Sequence, residues 1–137
     1  MRKGIIILGL SLLLTACDLG FPKMTVNYDN LPQGEIKEYI TKRFPNELEK
    51  EALSKLIYVH LDGNNRADSI KKAVSQMGMA CEAGKEICEY TGYIRTKLTG
   101  HSSGSGQAKR IYHIVISPKK GMDSLAIEYQ ILEDTEN

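Results

Sequence analysis

The run Gly100-His101-Ser102-Ser103-Gly104 comes closest, in residue types and spacing, to a catalytic motif. In hydrolases with the Gly-x-Ser-x-Gly pattern, a strand, a sharp turn and a helix on a large parallel sheet expose the serine as a nucleophile. Here the flanking patterns predict two strands of an antiparallel meander, and no acidic residue lies nearby to orient the histidine. Its Gly and Ser content is typical of a flexible turn. We therefore interpret this run as a hairpin loop.

The three histidines do not complete a catalytic or metal site in this pattern. His60, His101 and His113 fall on three separate predicted elements, whereas zinc would require further ligands close to the cysteines. His113 lies on a predicted strand face without a partner acid or nucleophile, which favours an ordinary packing role. We therefore predict no catalytic residues, no cofactor and no metal ion, and a protein that is not an enzyme.

The first of the three cysteines, Cys17, closes an N-terminal stretch with the parts of an export signal. Residues 2–3 are basic, residues 4–14 form an apolar run, and Thr15-Ala16 supply the small residues of a cleavage site. The apolar run is well short of the roughly 20 residues that a membrane-spanning helix needs. The stretch therefore predicts a signal peptide over residues 1–16 and not a retained transmembrane helix.

The segment Leu14-Thr15-Ala16-Cys17 resembles the lipobox of bacterial lipoprotein precursors. The resemblance implies cleavage before Cys17 and acylation of its thiol and new amine. Acyl chains contribute roughly 0.8 kcal/mol per buried methylene, so several chains would hold the protein on a membrane. An ordinary secretory signal that happens to contain a cysteine is the alternative. We expect a protein of the bacterial cell envelope, anchored to the membrane through acyl chains on Cys17 and facing the periplasm; Asp18 does not decide between inner and outer membrane.

The charge balance and the length of the mature chain indicate its class of partner and its number of domains. The whole chain has 18 Lys and Arg and 17 Asp and Glu, and removal of Arg2 and Lys3 leaves a nearly neutral protein. Such a balance in an exported protein argues against nucleic acid as a partner. Residues 17–31, rich in turn-forming residues, are predicted to be the acylated cysteine and a flexible tether that reaches about 45 Å when extended. Residues 32–137 are enough for a single domain.

Cys81 and Cys88 are predicted to form a disulfide. Outside the cytoplasm a pair of cysteines is most simply a disulfide, and the short segment between them contains Gly84 and can turn. Closing this loop would contribute about 2.5 kcal/mol in the chain-entropy treatment. Metal binding is the rival interpretation.

Three helices are predicted before the cysteine pair. Residues 33–44 have apolar residues at helical spacing and end before Pro45. The next helix is predicted to begin with Asn46 as N-cap and Glu49 three residues later. A third helix, opened by Asn65 and Asp68, is expected to end in a Schellman motif, with Gly78 in the left-handed conformation and Met79 as the hydrophobic contact.

After the cysteine pair the apolar residues alternate with a period of two, which is typical of strands. The middle segment, RIYHIVIS, is apolar on both faces, since Tyr112, Ile114 and Ile116 alternate with Ile111 and Val115. A strand covered on both sides is usually central. The predicted fold is therefore α+β, with two or three N-terminal helices packed on one face of a three-stranded antiparallel meander.

The lipobox, the helices and the three-stranded meander together resemble the SmpA/OmlA-like small lipoproteins. The local likeness lies in LPQGEIKEYITKRFP and NNRADSIKKAVSQMG, and in the strands between Tyr90 and Leu132. Members of that group have two helices, and their Gly-x-Thr helix-opening signature reads Gly34-Glu35-Ile36 here. The best-known members of that group are accessory subunits of outer-membrane barrel assembly. The resemblance implies a fold more than a function, and no partner-binding residue of the group has a match in this chain.

Two functions remain as hypotheses. The first is a non-enzymatic binding or assembly module that contacts an envelope protein through Ile111, His113 and Val115, because these residues need a partner if the helices cover the opposite face. The second is an inhibitor or immunity lipoprotein whose loop, Thr99 to Lys109, enters the cleft of an envelope-acting enzyme. Ser102, Ser103 and Ser105 are the candidate contacts of that loop, which faintly resembles the Ser-Gly loop of membrane-bound lysozyme inhibitors.

Overall fold

The computed structural model describes residues 23–99 and 106–135. Three helices lie on one face of an antiparallel sheet, so the predicted α+β class is confirmed. The elements in chain order are β1 (Lys23–Asn27), α1 (Glu35–Arg43), α2 (Lys50–Leu61), α3 (Ala67–Gln76), β2 (Ala80–Cys81), β3 (Cys88–Thr99), β4 (Gly106–Ile116) and β5 (Ala126–Thr135). Two short 3₁₀ turns, Pro118–Lys120 and Met122–Ser124, join β4 to β5.

The sheet contains the predicted meander and two further strands. β3, β4 and β5 pair antiparallel in chain order, with Tyr112 of β4 between Gly92 and Tyr129. β1 pairs with the far end of β3, where Lys23 lies opposite Thr99, and β2 pairs with its near end. The prediction of only three strands is therefore wrong, because two short segments that precede β3 in the chain also pair with it.

The predicted tether over residues 17–31 does not hold for residues 23–31. Residues 23–27 form β1, and Leu31 is only 3% exposed in the hydrophobic core. The turn-forming residues that suggested a tether instead bend the chain after β1, where the backbone amide of Asp29 donates to Asn27 Oδ1 at 2.8 Å. The folded domain therefore begins at least as early as Lys23.

The core lies between the three helices and one face of the sheet. Every second strand residue points into the core, because successive side chains of a strand face opposite sides of the sheet. The side chains that are less than 2% exposed include Tyr90, Ile94, Tyr112, Ile114 and Ile116 from the sheet and Ile36, Leu53, Ile57, Ile70, Val74 and Met77 from the helical layer. The helices therefore cover the predicted Tyr112, Ile114 and Ile116 face.

The end of α3 has the predicted Schellman motif. Gly78 has a φ of 113°, the amide of Met79 donates to the carbonyl of Val74 at 3.0 Å, and the amide of Gly78 donates to Ser75 at 3.2 Å. Met79 is 3% exposed, so it makes the expected hydrophobic contact. The chain can therefore turn directly from α3 into β2.

The predicted helix starts are less accurate. α2 begins at Lys50 and not after Asn46, because residues 47–49 have no regular structure, Glu49 is extended, and Leu48 is buried in the core. α3 begins after Arg66, and no side chain caps its first turn. Asn64 instead accepts a hydrogen bond from the Arg66 amide at 3.2 Å. Both predicted capping pairs are therefore wrong.

Candidate functional site

The face of the sheet turned away from the helices is the candidate site, and we call it the outer face. Its side chains alternate with those of the core along each strand, and none of them belongs to the hydrophobic core. The outer face consists of Thr25 and Asn27 of β1, Glu89, Thr91, Tyr93, Arg95 and Lys97 of β3, Gln107, Lys109, Ile111, His113 and Val115 of β4, and Ala126, Glu128, Gln130 and Leu132 of β5.

The three predicted contact residues lie in one row on this face. Ile111, His113 and Val115 alternate along β4 and are half-buried, whereas Tyr112, Ile114 and Ile116 between and after them are at most 1% exposed. The helices cover the opposite face, which is the condition under which Ile111, His113 and Val115 were expected to contact a partner. No described helix or strand lies over the row itself, since its only cover comes from neighbouring strands.

The pairing of β4 with β3 and β5 determines which residues lie beside His113. Thr91 of β3 lies opposite it on one side and Glu128 of β5 on the other. Within residues 23–99 and 106–135, no carboxylate comes within ion-pair distance of His113. Neighbours of this type can bind a polar group of a partner, but they do not form the base–nucleophile arrangement of a hydrolase.

A basic and aromatic cluster lies next to the apolar row, and sequence reasoning missed it. Lys109 Nζ is 3.9 Å from the centroid of the Tyr93 ring, and the Arg95 guanidinium carbon is 5.4 Å from it. Lys97 follows on the same strand face. The alternation in YIRTK already put Tyr93, Arg95 and Lys97 on one side, but the addition of Lys109 depends on the β3–β4 register.

A shallow concavity of about 640 Å³ opens at this cluster. β1 forms one of its walls through Thr25 and Asn27, and Leu132 of β5 lies at the opposite side. Arg95, Lys97 and Lys109 line it and give it positive charge. The arrangement suits a surface that contains carboxylates or phosphates, since both guanidinium and ammonium groups bind such oxyanions.

Cys81 and Cys88 come together as predicted. They lie directly opposite each other in the β2–β3 pair, with their Cα atoms 4.3 Å apart and their sulfurs at bonding distance. Cys88 is 1% exposed and belongs to the core cluster. The disulfide therefore fixes the end of α3 and the start of β3 relative to each other, at the end of the sheet remote from the basic cluster.

Several predicted site residues lie outside the described residues. These are Cys17, His101, Ser102, Ser103 and Ser105. The loop predicted from Thr99 to Lys109 is shorter than expected, because Thr99 still belongs to β3 and residues 106–109 already belong to β4. Residues 106–109 pair with residues 95–98 across the hairpin, and Thr99 pairs with Lys23 of β1, which explains the difference.

The titratable groups of the described part are dispersed over several elements. His60 of α2 pairs with Glu35 of α1, far in the chain from His113. The hydroxyl of Tyr129 donates to Glu47, and this hydrogen bond raises the pKa of the phenol. Burial raises the pKa of Tyr90 far above its usual range, and its hydroxyl donates to the Pro32 carbonyl at 3.1 Å. These groups stabilise the connection between layers and do not converge on a cleft.

In residues 23–99 and 106–135, no three His, Cys, Asp or Glu side chains are grouped closely enough to hold a metal ion. In the same part of the chain, no helix has both the length and the apolar character needed to cross a membrane.

Comparison with protein-family models, with curated proteins and with solved structures finds no match to this chain.

Proposed function

We propose that this protein is a small bacterial lipoprotein, anchored through Cys17 and facing the periplasm, that acts as a non-enzymatic binding or assembly module. Its partner in this proposal is an envelope protein that docks on the outer face. The observation that carries the proposal is the row of Ile111, His113 and Val115, which lies on an open sheet face beside a basic and aromatic cluster.

The composition of the outer face supports a protein partner. An antiparallel sheet with one solvated face normally places polar residues there. Here two β-branched apolar residues, Ile111 and Val115, lie on that face, with Tyr93 opposite Ile111 in the neighbouring strand. Leu132 on β5 is 44% exposed. Tyrosine and arginine are enriched among the residues that contribute most to binding at protein interfaces, and the buried core of an interface is more apolar than its rim.

Basic and acidic residues lie at opposite ends of the outer face. Arg95, Lys97 and Lys109 lie towards the β3–β4 hairpin, whereas Glu89 and Glu128 lie towards the other end. A partner that binds along the strands is therefore expected to place acidic groups over the hairpin end and basic groups over the other end, since complementary potentials orient a complex.

The start of β1 limits how far the domain can move from its anchor in this proposal. Six residue steps separate Cys17 from Lys23 in the sequence. Fully extended, they reach about 21 Å, less than half of what a tether through residue 31 would allow. Lys23 lies at the hairpin end, opposite Thr99. The basic end of the outer face would therefore be held near the membrane surface.

Photocrosslinking in living cells tests the proposed docking face. A photoreactive residue at position 111 or 115 should trap one defined envelope protein. The matched control is position 59 on α2, because Val59 is 78% exposed and lies in the helical layer on the opposite side of the sheet. Equal products from positions 59 and 111, or none from 111 and 115, would refute the proposed face.

The proposed anchor has its own test. A Cys17→Ala precursor should no longer be cleaved before residue 17, and metabolic labelling with a radioactive fatty acid should label the wild-type protein but not the variant. A Cys81→Ala variant is the control, since it also lacks one cysteine but leaves the proposed acylation site unchanged. Unaltered processing and fatty-acid labelling of the Cys17→Ala protein would refute the anchor while leaving the docking face open.

A further inference from the structure

The sheet protects one of its two edges along most of its length. On the free side of β3, β1 covers Arg95–Thr99 and β2 covers Cys88–Glu89. Between them, the carbonyl of Asn30 accepts a hydrogen bond from the Tyr93 amide at 3.3 Å. Three separate chain segments therefore satisfy or shield the backbone groups of this edge.

The opposite edge, formed by β5, has no such cover in the part of the chain that the structure describes. β5 is the last strand in the sheet order and is ten residues long. Its pairing with β4 runs without a bulge from Ala126 to Thr135. Natural edge strands are usually short or are protected by proline, charged side chains or bulges. β5 has no proline, lysine or bulge, and its only charged residues are acidic.

Apolar side chains lie on both faces of this open strand. Ile131, on the face of the helices, is 49% exposed, and Leu132, on the outer face, is 44% exposed. A strand that merely borders solvent would not need two adjacent exposed branched aliphatic residues. A strand added beside β5 would shield both of them, together with the free backbone groups between them.

The charges of β5 indicate what kind of strand fits. Glu128, Glu133 and Asp134 are its only charged residues. The cations of the neighbouring β4 are already engaged on the two faces of the sheet: Arg110 donates to the Pro45 carbonyl at 2.9 Å, and Lys109 lies over Tyr93. The free edge of β5 is therefore acidic on both sides of an apolar centre.

We infer that the β5 edge binds an extended segment of a partner protein by strand addition, and that this segment has apolar residues at its centre and Lys or Arg on either side. Opposite charges across neighbouring strands stabilise such a pair. A second copy of this chain fits poorly, because antiparallel pairing of two β5 strands would collect the acidic residues of both copies and no basic residue along one seam. This inference does not depend on the membrane anchor or on the outer face.

Synthetic peptides of opposite charge test the inference on the full mature chain. The probe is an amidated peptide of sequence KVKVIVKVK with a fluorophore on its N-terminus, and the control peptide, EVEVIVEVE, carries the same label. Binding is measured by fluorescence anisotropy and located by amide hydrogen exchange. The lysine peptide should slow exchange across residues 127–133 by at least about tenfold, since paired amides open less often, and should leave residues 23–27 unchanged. The glutamate peptide should bind at least about tenfold more weakly.

Two single variants and a control complete the test. Leu132→Lys and Ile131→Lys place a cation on opposite faces of the edge, and each should weaken binding of the lysine peptide by roughly tenfold. Val59→Lys adds the same charge at an exposed site on α2 and should leave binding unchanged. The thermal unfolding of all three variants shows whether they remain folded. If one of the two edge variants does not fold, the other still tests the inference.

The inference is overturned by any of three results. Both peptides could bind equally, which would remove the charge preference. The lysine peptide could bind without protecting β5. Finally, the protein alone could protect β5 as its concentration rises, which would make a second copy the occupant.

Discussion

Replacing Gly92 with alanine tests how the chain covers the edge of β3. An added Cβ would lie 2.8 Å from Pro32 Cδ, 2.9 Å from the carbonyl oxygen of Asn30 and 3.1 Å from Leu31 Cα. Two of these three atoms belong to the backbone and cannot rotate away as the end of a side chain can. The segment 30–32 must therefore move outward to admit the methyl group.

The expected loss of stability follows from what that movement disturbs. Forcing extra volume into a packed site costs about 1–3 kcal/mol. Lengthening the hydrogen bond from the Tyr93 amide to Asn30 adds about 1 kcal/mol. The lower chain entropy of alanine in the unfolded state offsets about 0.5 kcal/mol. The free energy of unfolding should therefore fall by about 1.5–3.5 kcal/mol, with Leu31 partly withdrawn from the core.

Urea denaturation measures this loss, and Gly106→Ala is the matched control. Gly106 also lies in a strand of the same sheet, but a Cβ there would meet no atom within 4 Å. Gly106→Ala should be neutral or more stable by up to about 1 kcal/mol. Hydrogen exchange of the Tyr93 amide should accelerate only in Gly92→Ala. Equal stabilities of the two variants would show that segment 30–32 does not pack against β3 as described.

Three further predictions address the two sheet faces, the disulfide and a tyrosine. Ile114→Ala should lower the free energy of unfolding by about 2–5 kcal/mol and the outer-face Ile111→Ala by under about 1 kcal/mol, as urea curves would show; similar losses would contradict the assignment of faces. Reducing the disulfide should cost about 2.5 kcal/mol, measured by unfolding with and without reductant, and no change would refute a stabilising bond. The hydrogen bond to Glu47 raises the pKa of Tyr129 in the folded state. The stability that this bond gives is therefore fully present below the pKa of tyrosine in the unfolded chain, about 10, and is lost as the pH rises through the pKa of the folded state. Glu47→Gln should lower that pKa in a phenolate absorbance titration, and an unshifted titration would exclude the contact.

The sequence predicts the elements whose signals are local. Ile36 and Ile40, four residues apart, identify the buried face of α1. The Schellman motif at Gly78 follows from a glycine and a methionine in the right order after an amphipathic segment. The meander follows from a period of two in three successive segments. In each case the pattern within a short window was enough, because the same face had to be buried whichever element covered it.

The sequence fails where pairing is long-range. β1 has five residues and β2 has two, too few for a periodic signal, and β1 pairs with residues more than 65 positions later in the chain. The basic and aromatic cluster shares this difficulty, since Lys109 reaches Tyr93 only through the β3–β4 register. The starts of α2 and α3 were predicted from capping residues, but burial of Leu48 decided where α2 begins.

The outer face and the β5 edge can be distinguished by which part of the strand a partner contacts. A protein on the outer face contacts side chains such as Ile111 and Val115, whereas an added strand contacts the backbone of β5. Leu132 borders both surfaces, because it lies on the outer face and on the edge strand, but Ile131 points to the other face. A partner that is lost with Leu132→Lys and retained with Ile131→Lys therefore occupies the outer face, and one that is lost with both variants occupies the edge.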